Sequence, residues 1–286
     1  MDPTTRQQAI DLYDRFTHDG MERRAFMERV VKLAGSIAAA ELLIAGIAAS
    51  PVAAAVVPAN DPRLTTRTQD LVGGYKAYVA EPRSRSLKAT VLVIHENRGL
   101  NGHIRDVARR VAIAGYRAVA PDLLSLGGGT PANEDAARDA IGKLDLGKTV
   151  ADAVAILGQL AGSSRGGKVG AIGFCWGGGF VDRLAVAAGP VLAAGVSYYG
   201  PAPDPSEAAQ VSAPLMLHLA GLDARVGATA WPFATALGEA GKAIEVFEYP
   251  GVNHAFNNDT AADRYDTPAA DLAWQRTLDF FKRHLG

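Results

Sequence analysis

Three side chains in the C-terminal half of the chain have types and spacing suited to nucleophilic chemistry. The first is Cys175, the one cysteine of the 286 residues, in Gly173-Phe174-Cys175-Trp176-Gly177. An apolar run, Val169 to Phe174, leads in, and a helix-like run, Trp176 to Ala188, leads out. Gly-x-nucleophile-x-Gly between a strand and a helix is a nucleophile elbow: the turn admits only small residues beside it and lifts the reactive atom clear of the backbone. An ordinary thiol is mostly protonated at neutral pH, so it needs a base or a cationic neighbour. The N-terminal dipole of the following helix adds to that push. The competing reading is a small buried hydrophobe, the usual state of a free cysteine; the paired glycines favour the nucleophile.

An elbow nucleophile expects its acid and then its histidine later in the chain. Three histidines follow Cys175. His218 lies inside an apolar strand run and reads as a core histidine, and His284 sits almost at the C-terminus. His254, in Pro250-Gly-Val-Asn-His254-Ala-Phe256, falls between the last strand and the last helix, where an imidazole reaches the C-terminal edge of a sheet. It is the candidate base. Asp223, just past the run Leu215 to Ala220, is the candidate acid that would hold the imidazole in one tautomer. A helix-capping role for Asp223 is the alternative. The spacings, 223 − 175 = 48 and 254 − 223 = 31, leave room for the intervening elements. Asp182 and Asp204 fit less well, one inside the helix after the elbow and one in a Pro-rich loop.

Acyl transfer also needs two fixed N–H donors for an oxyanion. The backbones of Trp176, after the nucleophile, and of Asn97, in the loop after the strand Thr90 to His95, are the candidates. The same loop puts Glu96 at a strand end, where an unpartnered carboxylate is costly. A role at the thiol and an ion pair with Arg98 are both open readings of Glu96 from the residues alone.

The elements that would position these groups alternate. Thr65 to Asp70 and Tyr75 to Ala80 form a predicted antiparallel hairpin around Gly73-Gly74. Continuous apolar runs at 90–95, 116–120, 169–174, 191–199, 214–220 and 244–249 read as buried parallel strands. Helical patterns fall between them at 104–114, 133–160, 176–188, 228–240 and 272–285. A hairpin entering a β-α alternation is the order of an α/β-hydrolase fold, a doubly wound, mostly parallel sheet.

Composition bounds the partners. A net charge of -1 leaves no electrostatic footprint for nucleic acid. A lone cysteine excludes an internal disulfide and any zinc cluster built on several cysteines. Residues 1–57 read as a leader, with the main domain at 58–286. Arg23-Arg24 followed by Phe26, an Ala/Gly-rich stretch from Leu33 to Val57 and Ala53-Ala54-Ala55 resemble a twin-arginine export signal, which carries folded proteins. That reading makes the export machinery a partner and the periplasm or exterior the destination. Glu41 interrupts the apolar run, and a helical arm on a cytoplasmic protein is the alternative, since Ile10, Tyr13 and Phe16 fall near one helical face.

From Thr65 to Gly286 the sequence resembles the dienelactone hydrolase (carboxymethylenebutenolidase) family. The resemblance is carried by His95-Glu96 with Gly99 and Asn101, Ala120-Pro121-Asp122-Leu123, Gly-Phe-Cys175-Trp-Gly-Gly, Asp223-Ala-Arg-Val226 and His254-Ala-Phe256. It implies a Cys175-Asp223-His254 triad, with Glu96 helping to activate the thiol, no metal and no organic cofactor. The implied reaction is hydrolysis of a small ester or lactone through an acyl-thioester. One departure concerns substrate: the family's carboxylate-binding arginine a few residues after the histidine is replaced by Phe256-Asn257-Asn258. Arg98 or Arg138 could substitute, and Trp176, Tyr198, Tyr199 and Phe256 would supply aromatic walls. A thiol acyltransferase or peptidase on the same fold, and a non-catalytic binding protein, are the competing functions.

Overall fold

A computed structural model describes residues 2–48, 55–83, 87, 89–163 and 167–286. Ala53 and Ala54, part of the expected export signal, lie outside them. Three helices come first: α1 (Pro3–His18), α2 (Arg23–Ala34) and α3 (Ile37–Ile47). Strands and helices then alternate as β1 (Leu64–Asp70), β2 (Lys76–Pro82), β3 (Thr90–Ile94), α4 (Gly102–Ile113), β4 (Arg117–Asp122), α5 (Glu134–Gly142), α6 (Leu146–Ala161), β5 (Val169–Phe174), α7 (Trp176–Ala187), β6 (Ala194–Tyr198), β7 (Leu215–Ala220), α8 (Ala224–Glu239), β8 (Ile244–Tyr249) and α9 (Thr267–His284).

The strands form one sheet in the order β1-β2-β4-β3-β5-β6-β7-β8. The hairpin is antiparallel, with Gln69 opposite Ala77, and β2 pairs antiparallel with β4. From β4 to β8 every pairing is parallel. Strands β3, β5, β6 and β7 are buried throughout, because helices cover both faces. Ile104, Val107, Phe280 and Phe281 from α4 and α9 fill one face, and Ile156, Leu157, Val181, Leu184, Phe233 and Leu237 from α6, α7 and α8 fill the other. This is the expected α/β-hydrolase architecture.

Several details differ from the expected elements; α9 begins at Thr267 rather than 272, capped by Asp266. The helical region 133–160 is two helices, because Asp145 leaves helical geometry and its carboxylate accepts the Lys148 N–H to cap α6. Likewise α8 begins at Ala224 rather than 228, capped by Asp223. The N-terminal helices build a core of their own: Ile10, Tyr13, Phe16, Phe26, Val30, Leu43 and Ile47 are buried together, with Phe16 and Phe26 stacked at 4.5 Å. Among the described residues no single helix is long and apolar enough to cross a membrane.

Between β5 and α7 the backbone folds on itself. A Cβ on Gly173 would lie 2.0 Å from the Gly177 carbonyl oxygen, and one on Gly177 would lie 2.3 Å from that of His95. By contrast a Cβ on Gly158, exposed within α6, would meet nothing within 4 Å. Gly173→Ala should therefore lower the thermal midpoint by about 5 °C or more, whereas Gly158→Ala should raise it slightly by removing a flexible helix residue. Calorimetry of the two variants checks this; a Gly173→Ala protein as stable as the parent would refute the close approach.

Candidate active site

Because β5 to β8 run parallel, the segments after them open on one edge of the sheet, and this edge gathers the candidate residues. Cys175 stands between β5 and α7 at φ 55°, ψ −120°, a strained conformation for a residue with a Cβ. Its N–H donates to the Tyr198 carbonyl at 3.0 Å. Asp223 follows β7, and His254 follows β8. Among the described residues only Cys175, Tyr199 and Ala255 are non-glycines with positive φ, and all three border this edge: the Tyr199 ring lies 4.9 Å from that of His254.

Asp223 makes the contacts of both readings at once. One carboxylate oxygen accepts the Val226 N–H at 3.1 Å and caps α8, while the other accepts Nδ1–H of His254 at 2.6 Å. Burial opposes ionisation of this carboxyl, but the His254 hydrogen bond and charge, Arg225 and the Val226 N–H together hold its pKa below the usual range. Burial also disfavours the charged imidazole of His254. Negative charge on Cys175 and the bond to Asp223 outweigh it and raise its pKa to about 10. With Nδ1 committed to Asp223, Nε2 is left without a hydrogen-bond partner in a residue only 3% exposed. Such an arrangement suits an imidazole that acts as a base beside a thiol.

The loop after β3 lies across the pocket. Glu96 is buried and accepts a hydrogen bond from Asn258 Nδ2 at 3.0 Å. The Glu96–Arg98 ion pair is not made: Arg98 pairs with Glu134 and donates to the Tyr13 hydroxyl at 2.5 Å. His95 fixes the loop, with Nδ1 donating to the Glu96 carbonyl at 2.8 Å and Nε2 accepting the Leu123 N–H, while its ring stacks on Trp176. Glu96, Asn97, Arg98, Cys175, His254 and Asn258 line one pocket, and Trp176 opens α7 beside it.

Three expected pocket walls are core residues instead, Tyr199 being fully buried like Tyr198 and Phe256. Tyr198 is fully buried between Phe174 and His218 and shares a 2.7 Å hydrogen bond with Thr277, and Phe256 is fully buried against Tyr199 and Tyr249. Both point into the layer beneath the pocket, because strands buried on both faces give no periodicity that separates pocket from core. His218 is the core histidine expected, bonded to Tyr249 and Thr277, with burial pushing its pKa down to about 3. Arg138 lies over the Phe16 ring at 4.4 Å, away from the thiol.

Sequence reasoning missed three contributors. Asn258, standing where an arginine was expected, holds Glu96. Arg264 lines the pocket with its guanidinium held by the Ile47 carbonyl and Asp14. Most consequential is the leader, which docks over the site. His18, the last residue of α1, places Nε2 3.9 Å from the Cys175 sulfur and its ring 4.8 Å from that of His254. Gln7 bonds Asn253, and Asn97 donates to the Thr17 carbonyl. The space left around the thiol is about 30 Å³, room for a water molecule and no ester. No hydropathy period signals a contact between residues 157 apart.

Comparison with known proteins shows the family of the chain. The model of the dienelactone hydrolase family matches residues 75–285. A protein of Methylorubrum extorquens assigned as a carboxymethylenebutenolidase is 31% identical over 260 residues, covering 83% of this chain and 88% of its own. One from Saccharolobus solfataricus with the same assignment is 31% identical over 245 residues, 73% of this chain and 93% of its own. A crystal structure from Klebsiella pneumoniae assigned as a dienelactone hydrolase superposes with a TM-score of 0.69 at 27% identity, covering 77% of this chain and 99% of that one.

The docked leader gives a direct expectation. Iodoacetamide should alkylate Cys175 at least about tenfold more slowly in the full chain than in a chain beginning at Val56, because reaction with the full chain must await local opening of the helices. Val56 and Val57 are retained because their N–H groups bond the Asp106 carboxylate. Equal rates in two folded proteins would show that the leader does not shield the thiol.

Proposed function

Since this chain belongs to the dienelactone hydrolase family and is a carboxymethylenebutenolidase-like ester or lactone hydrolase, we propose that Cys175 is its nucleophile, His254 its base and Asp223 the residue that orients the base. The observation that carries the proposal is the 2.6 Å bond from Asp223 to His254 Nδ1, which leaves Nε2 within reach of a thiol on a nucleophile elbow.

In this mechanism His254 holds the thiol proton and the Cys175 thiolate attacks the carbonyl carbon of the ester. The backbone N–H groups of Trp176 and Asn97 receive the negative charge on the former carbonyl oxygen. When the carbon–oxygen bond breaks, His254 gives its proton to the leaving oxygen and a thioester remains on Cys175. A water then gives a proton to His254 and attacks the thioester, and the returning sulfur regains the paired state. Glu96, tied to Asn258, interacts with the thiol and helps to activate it when substrate enters. No step calls for a metal or an organic cofactor. Arg98 and Arg264 both line the pocket, which supports a small substrate bearing an anionic group.

Residues 1–57 are proposed to act as a twin-arginine export signal for this folded hydrolase. Arg23 and Arg24 stand at the exposed start of α2, with side chains 69% and 91% accessible, which supports recognition of the pair by an export receptor.

For the chemistry, Cys175→Ala should abolish hydrolysis of p-nitrophenyl acetate, and acid-quenched parent enzyme should yield an acetylated peptide containing Cys175. A fully active Cys175→Ala protein would overturn the mechanism. Asp223→Asn should reduce kcat/KM by on the order of 10³–10⁴-fold. The pH dependence has a defined sign. A raised His254 pKa keeps the imidazolium, and the stability its pairing contributes, in place below the ordinary value and through neutrality, and both are lost as pH rises through about 10. Loss of the Asp223 charge should therefore move the alkaline limb of kcat/KM to lower pH. For the leader, N-terminal sequencing of native protein should find a start near Val56; an intact Met1 on all extracytoplasmic protein would refute cleavage.

A further inference from the structure

The leader does more than cover the thiol: it brings a third ligand to it. We propose that His18, Cys175 and His254 form a binding site for a soft divalent cation, zinc foremost, in the full-length chain, and that the bound ion latches the leader over the nucleophile.

The geometry supports a three-ligand site. One ring nitrogen from each histidine and the Cys175 sulfur all lie within 4.8 Å of one another, with His18 Nε2 3.9 Å from sulfur. Three atoms so spaced can all lie within about 2.8 Å of a common point, so closing each by less than about 1 Å reaches zinc–nitrogen and zinc–sulfur bond lengths. Two imidazoles and a thiolate select zinc-like ions over magnesium or calcium, which prefer oxygen. A fourth position stays open for water.

A separate observation points to a ligand at this place. His254 is 3% exposed, yet its Nε2 has no hydrogen-bond partner, while its Nδ1–H is fixed on Asp223. A carboxylate on one ring nitrogen, with the lone pair of the other aimed at the ion, is how metal-binding histidines are oriented. Binding replaces the one proton that Cys175 and His254 share, which leaves to solvent, and forms one zinc–sulfur and two zinc–nitrogen bonds. The ion then holds both reacting groups and the end of α1 together. Removal of the leader takes His18 away and leaves only two ligands, so the latch exists in the precursor and not in a chain that starts near Val56.

Cobalt(II) titration of the full chain tests this without requiring turnover, so its outcome is independent of the proposed hydrolysis. One equivalent should produce a thiolate-to-cobalt charge-transfer band, and zinc should abolish it until a chelator is added. His18→Ala and the size-preserving His18→Gln should each weaken cobalt binding about tenfold or more. Cys175→Ala should lack the band. No thiolate band in the parent, or equal affinity in both folded His18 variants, would overturn the proposal.

Discussion

The close passage of Gly173 over Gly177 is the contact on which the site depends. With no side chain on either, the end of β5, the start of α7 and the carbonyl of His95 after β3 meet at one point. That meeting holds Cys175 at positive φ and makes the 96–97 loop its neighbour. Residues from β7 and β8 then reach the same edge because parallel strands all end there. The site is thus a product of backbone proximity first and of side-chain chemistry second.

The leader meets this edge through polar groups as well as apolar ones. Arg98, Arg264, Asn97 and Asn253 each find a partner on it, at Tyr13, Asp14 with Ile47, Thr17 and Gln7. A buried polar group left unpartnered costs about 1–3 kcal/mol, so these pairings fix where the helices sit. Their own small core of Phe16, Phe26 and Tyr13 makes them a unit rather than an extended tail. An export signal and a helical arm were alternatives in the sequence; N-terminal helices that dock on the rest of the chain are compatible with both.

Much of the sheet was legible because its strands are short apolar runs between turn residues, and the elbow glycines with the loops after strands were enough to expect Cys175, Asp223 and His254 at one edge, where they lie. Helix limits were less legible where a capping carboxylate competes with helical periodicity, as at Asp145. Tyr198 and Phe256 misled because a segment buried on all sides shows no contrast between pocket and core. His18, Asn258 and Arg264 were invisible for a different reason. Their roles arise from contacts between distant segments, and neither spacing nor composition encodes which surfaces will meet. Asn258 left one trace, as the residue standing in the place of an expected arginine.

Asp14 and Arg264 carry a further consequence. The Asp14 carboxylate sits on a cation at the pocket, 3.4 Å from its guanidinium, and it is covalently part of the same molecule. A tethered group of this kind acts at an effective concentration set by the fold, whatever the protein concentration. A free anion binding at that arginine would compete against a rival that dilution cannot remove, and would gain the position fully only when the peptide chain between them is cut.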